Sequence, residues 1–130
     1  MGLLNKIFGS ETAVKKEEKI LPWFPLDDLQ QLETIKVKSS QKTQVIFKHS
    51  TRCGISRMVM NQFIDSYNFT EDDLDLYFLD ILNHRDVSNE VGIKFQVWHE
   101  SPQLLVVKEG VVVAHASHGQ INALALSSFV

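Results

Sequence analysis

Cys53 is the only cysteine in the 130-residue chain. One thiol can close no intramolecular disulfide and build no thiolate zinc cage, so disulfide-stapled and zinc-finger folds are excluded. The chain must hold itself together through an apolar core, and 44% hydrophobic residues over this length suffice for one domain. Sixteen Asp and Glu against thirteen Lys and Arg leave a formal charge of −3, with no positive excess to hold a polyanion. Nucleic acid is not an expected partner. No stretch approaches the ~18 uninterrupted apolar residues of a membrane span, and none is expected. The opening Met1-Gly2-Leu3-Leu4-Asn5-Lys6-Ile7-Phe8 is too short an apolar stretch for a secretory signal. It also has Lys6 where a myristoylation pattern needs Ser or Thr. A cytoplasmic location is expected.

Residues 1 to 19 read as a flexible leader, charged from Glu11 to Lys19, and the folded domain is expected over 20–130. Leu26, Leu29, Leu32 and Ile35 recur at helical spacing and predict a first helix from Leu26 to Ile35. Thr43 to Phe47 is a β-branched and aromatic run of strand length. It is followed by an apolar stripe of period 3.6 through Ile55, Met58, Val59, Phe63, Ile64 and Tyr67. Cys53 therefore stands at a helix start directly after a strand. Leu74 to Leu82 is continuous enough to be a strand buried on both faces, which implies a parallel partner. Asp86 is placed to cap a short helix reaching about Lys94. Gln103–Val107 and Val111–His115 read as a hairpin about Lys108-Glu109-Gly110. Ser117 with Gln120 has the spacing of a capping box for a last helix.

A βαβ unit followed by a ββα unit is solved most simply as an α/β fold with one mixed four-stranded sheet and helices on both faces. Cysteine at the first βα turn and proline at the head of the strand after the second crossover suggest, by analogy, a thioredoxin-like architecture.

A lone cysteine is often an inert small hydrophobe, but a helix start changes its chemistry. The first backbone N–H groups lack intrahelical partners, and the macrodipole supplies about half a positive charge there, so a sulfur anion is favoured. Arg52, Arg57 and Lys48 are expected to add fixed positive charge around Cys53, and no carboxylate opposes them between Lys48 and Asn61. Gly54 leaves room beside the sulfur. Ser56 stands where a dithiol enzyme carries its second cysteine, so the chain can begin thiol–disulfide exchange and needs an external thiol to finish it. An ordinary role for Ser56, satisfying local backbone early in the helix, is also open. Ser101-Pro102 suits a cis peptide beside the sulfur. A hydrolase dyad of Cys53 with His49 is disfavoured, because the strand carries the following residues away and no oxyanion-hole motif is visible. His115 and His118 lack further clustered ligands, so no metal site is expected.

Three segments resemble the monothiol bacilliredoxins of the YtxJ type: Phe47-Lys48-His49-Ser50-Thr51-Arg52-Cys53-Gly54-Ile55-Ser56, His99-Glu100-Ser101-Pro102-Gln103 and Ser117-His118. The resemblance implies that Cys53 is catalytic, with Ser56 replacing the resolving cysteine and Pro102 as the family's cis-proline. Thr51, Arg52, Gly54, Ile55, Ser56, Ser101 and Pro102 would contact the substrate. It further implies no tightly bound cofactor, bacillithiol as the low-molecular-weight thiol co-substrate, S-thiolated client proteins as partners, and an external thiol or reductase to restore Cys53. This chain has Cys-Gly-Ile-Ser where the family commonly has Cys-Pro-Ile-Ser. That motif is also one residue from the Cys-Gly-Phe-Ser of monothiol glutaredoxins, which would make the chain a [2Fe–2S] cluster carrier. The Gly-Gly pair of that second family is missing after the hairpin, where Gly110-Val111-Val112-Val113-Ala114 stands.

Overall fold

In the computed structural model, which describes residues 19–130, the run Thr43–His49 is a strand buried along its whole length. Such burial requires neighbours on both edges and layers on both faces. The elements in chain order are β1 (Trp23–Pro25), α1 (Gln30–Lys38), β2 (Thr43–His49), α2 (Gly54–Ser66), β3 (Leu74–Asp80), α3 (Arg85–Phe95), β4 (Gln103–Lys108) and β5 (Val111–Ser117). Two 3-10 helices follow, His118–Ala123 and Leu126–Phe129. The five-stranded sheet has the order β1-β3-β2-β4-β5. β1 and β2 run parallel to β3, while β4 runs antiparallel to β2 and β5. No helix among the described residues is long and apolar enough to cross a membrane.

Side-chain alternation along the strands builds two cores. Val45, Phe47, Leu74, Leu76, Leu104 and Val106 face Val59 and Phe63 of α2 and Ile121 and Leu126 of the 3-10 segment. Ile46, Tyr77, Leu79, Leu105 and Val107 face Leu32 and Ile35 of α1 and Val87, Val91 and Phe95 of α3. The first core is aromatic at its centre, with the Phe47 ring 5.1 Å from Phe63 and 6.0 Å from Trp23, both edge-on.

Four sequence expectations are corrected. The sheet has five strands, not four, because Trp23–Pro25 pairs with β3; three residues ending in proline carry no readable period, and proline is tolerated at a sheet edge. The first helix begins at Gln30, not Leu26. Leu26 donates its N–H to the Phe78 carbonyl and prolongs the β1 pairing, while Asp28 Oδ1 takes the Gln30 N–H and Gln31 Oε1 takes the Asp28 N–H. Asp86 lies inside the first turn of α3, which starts at Arg85 after His84. The capping box at Ser117 does not form: His118 has φ 56° and donates its N–H to the Pro102 carbonyl. Left-handed backbone cannot begin an α-helix, so the chain continues as 3-10 turns. The leader expected over residues 1 to 19 lies, apart from Lys19, outside the described residues.

Candidate functional site

Lys48 pairs with Gln103 across β2 and β4, so the turn leaving β2 and the loop entering β4 stand at the same end of the sheet. The turn carries Cys53 and the loop carries Ser101-Pro102.

The turn closes through the Cys53 N–H donating to the Ser50 carbonyl at 3.2 Å, and the Arg57 N–H donates to the Cys53 carbonyl at 3.1 Å as the first bond of α2. Cys53 is thus the N-cap of α2, with extended dihedrals (φ −103°, ψ 121°) and no side-chain cap bond. The residue is half-buried and its thiol free, at the N-terminal end of a helix whose first turn has no acidic residue. Thr51, Arg52, Gly54 and Ile55 are exposed around it. Arg57 folds back over the turn, its guanidinium donating to the Thr51 carbonyl at 3.3 Å. A Cβ on Gly54 would meet Arg57 Nη2 at 4.0 Å, an ordinary contact, so no neighbour demands glycine there.

Ser56 is fully buried. Its hydroxyl accepts the Ser50 N–H at 3.1 Å and lies 2.8 Å from His49 Nδ1. His49, at the end of β2, packs its ring 5.6 Å from Phe78. Burial holds His49 below the ordinary imidazole range, with Arg57 pushing the same way and Asp80 opposing.

Lys48 departs from the sequence expectation. Adjacent strand residues face opposite sides, so with His49 turned toward α2 the Lys48 side chain lies on the face of α1 and α3. There it is fully buried, its ammonium donating to Gln103 Oε1 at 3.0 Å. Burial pushes Lys48 down to about 8. Gln103 passes the anchorage on: its Nε2 donates to the Trp98 carbonyl at 2.9 Å, and its Oε1 also accepts the Glu100 N–H at 3.4 Å. The Lys48–Gln103 pair therefore fixes the approach to Ser101-Pro102, a cis peptide. Pro102 is buried, Ser101 is half-buried, and Ser101 Oγ has no partner among the described residues. Burial also lowers His99, with Lys48 and Arg85 reinforcing it.

The site therefore places Thr51, Arg52, Gly54 and Ile55 on the surface around Cys53, buries Ser56 beneath them, and sets Ser101-Pro102 at the same end of the sheet. Sequence reasoning missed Gln103 and the coupling of His49 to Ser56. Strand alternation was the available signal, since Lys48 and His49 cannot both face α2.

The sequence profile of the family described as monothiol bacilliredoxin BrxC matches residues 24–126. Among solved structures, a thioredoxin-fold protein with a provisional oxidoreductase assignment is 33% identical, covering 81% of this chain and 90% of that one with a TM-score of 0.66. Thioredoxin from Malassezia sympodialis (Mala s 13) is 18% identical over 88% of this chain and 96% of that one, with a TM-score of 0.66. Thioredoxin from Schistosoma mansoni is 18% identical over 83% and 95%, with a TM-score of 0.60. The last two show the likeness of fold alone.

Proposed function

The chain belongs to the monothiol bacilliredoxin family, and from that premise we propose that Cys53 removes bacillithiol from mixed disulfides on client proteins. The family and the fold make the chain a thioredoxin-fold thiol oxidoreductase. The removal of bacillithiol is supported by the lone thiol of half-buried Cys53 at the N-cap of α2, with a buried serine where a second thiol would stand.

The Cys53 sulfur anion attacks the bacillithiol sulfur of the client's mixed disulfide in line. A new S–S bond joins Cys53 to bacillithiol, and the client sulfur departs as a thiolate that takes a proton from water. Ser56 has no sulfur with which to break the new bond. The mixed disulfide on Cys53 therefore persists until an external thiolate, free or on a reductase, attacks bacillithiol's sulfur and releases Cys53. The unblocked N–H groups of the first turn of α2 stabilise the attacking anion. Exposed Thr51, Arg52, Gly54 and Ile55, with half-buried Ser101, form the contact surface beside buried Pro102, and Arg52 and Arg57 suit the paired carboxylates of bacillithiol's malate. No tightly bound cofactor is needed. The setting proposed is the cytoplasm, where reduced small thiols restore Cys53, and the working domain is 20–130.

The test is intact mass after separate incubation with oxidised bacillithiol, glutathione and coenzyme A. The expected result is a bacillithiol adduct formed fastest, on Cys53 and not on Cys53→Ala. Absence of any adduct, or equal rates with all three, overturns the proposed specificity or the chemistry itself.

A further inference from the structure

We propose that His49 is a positioning residue for the nucleophile turn, acting through Ser56; the inference rests on the reading of Cys53 as the reactive sulfur. The Ser56 hydroxyl has one proton to place, and His49 Nδ1 at 2.8 Å is the one acceptor beside it among the described residues, so the proton goes there while the oxygen accepts the Ser50 N–H. His49 is then neutral, with its remaining ring proton on Nε2. This bond fixes the rotation of a fully buried hydroxyl, which in turn fixes the Ser50 N–H. Ser50 is the residue whose carbonyl closes the turn onto the Cys53 N–H. The chain of contacts runs from the imidazole to the backbone of the reactive cysteine without touching the sulfur.

The arrangement works only while Nδ1 is a lone pair. Protonation turns that acceptor into a donor and leaves the hydroxyl proton without a partner in a buried place. The charged groups acting on His49 are Asp80, from β3, which favours protonation, and Arg57, from α2, which opposes it. Cys53 itself caps α2, and the aromatic rings packed near the imidazole among the described residues, Phe47 and Phe78, are uncharged. Burial outweighs Asp80 and keeps the imidazole neutral at physiological pH.

The experiment measures alkylation of Cys53 by iodoacetamide as a function of pH, read by intact mass, in the wild type, His49→Leu, Ser56→Ala, the double variant and His49→Asn. Losing one buried hydrogen bond corresponds to about tenfold in rate, so His49→Leu and Ser56→Ala are each expected to react about tenfold more slowly at neutral pH. The double variant should be no slower than either single one, because both cut the same chain. His49→Asn offers its Oδ1 in place of Nδ1 and does not titrate. It is expected to restore the rate to within about threefold of wild type and to lack the inflection below pH ~6.5 that wild type shows. Wild-type rates in His49→Leu, multiplying losses in the double variant, or an unchanged inflection in His49→Asn each overturn the proposal; the asparagine variant decides the matter should the leucine variant not fold. Alkylation needs no thiol substrate, so a wild type that alkylates normally but takes no bacillithiol defeats the functional reading alone.

Discussion

Lys48 and His49 are adjacent in sequence and work on opposite faces of one sheet, each anchoring a different half of the site. On the α2 face, His49 and Ser56 form a neutral pair that holds the turn bearing Cys53. On the opposite face, Lys48 is a buried cation whose hydrogen bond goes to an uncharged amide, and through Gln103 it holds the loop before Pro102. The neutral side satisfies its polar groups at little desolvation cost. The charged side keeps an ammonium away from water with no carboxylate bonded to it among the described residues, which is expensive, and the cost should appear in stability measurements.

Removing the amide on the charged side gives the largest effect. Gln103→Leu leaves the ammonium and the Trp98 carbonyl without their partner, and chemical denaturation at neutral pH should show a loss of about 3 kcal/mol. A change in the wild type follows from titration. The folded-state value of Lys48, near 8, lies below that of an unfolded lysine. Above pH ~8 the unfolded chain therefore binds the extra proton, and stability should climb by about 2–3 kcal/mol towards pH ~10. Beyond that it should fall, because Tyr67 and Tyr77 are raised to about 12 and the unfolded phenols ionise first. Lys48→Met should abolish the climb and keep the fall, which urea denaturation across this pH range will read.

The neutral side should be milder. Ser56→Ala strands the Ser50 N–H and His49 Nδ1 and is expected to cost about 1–2 kcal/mol in thermal or urea unfolding. Smallest of all, Gly54→Pro should stabilise by about 0.4–1 kcal/mol in the same assays. Gly54 is the first helical residue, Cys53 before it is already extended, and a Cβ there meets only a flexible guanidinium.

The same contrast shows what a sequence displays. The apolar stripe of α2 and the β-branched run of β2 announce themselves by period, and with them the N-cap position of Cys53. β1 gave no such signal, since its three residues gain their strand character only by pairing with Leu76, Tyr77 and Phe78. Ser117 and Gln120 have capping spacing, but a tertiary bond from His118 to Pro102 overrode the local preference. Lys48 stands at the end of the strand that leads to Cys53, which places it near the thiol in sequence, but one step of strand alternation puts its side chain on the other face.

On the proposed reading, Cys53 takes the small thiol and, lacking a second sulfur, keeps it. The most direct measurement is a single turnover of the reduced protein with one equivalent of S-bacillithiolated client, quenched in acid and read by intact mass. The expected products are free client thiol and bacillithiol bound to Cys53, stable until an external thiol is added. A Cys53–client disulfide with bacillithiol released, or a client that keeps its bacillithiol, would contradict it.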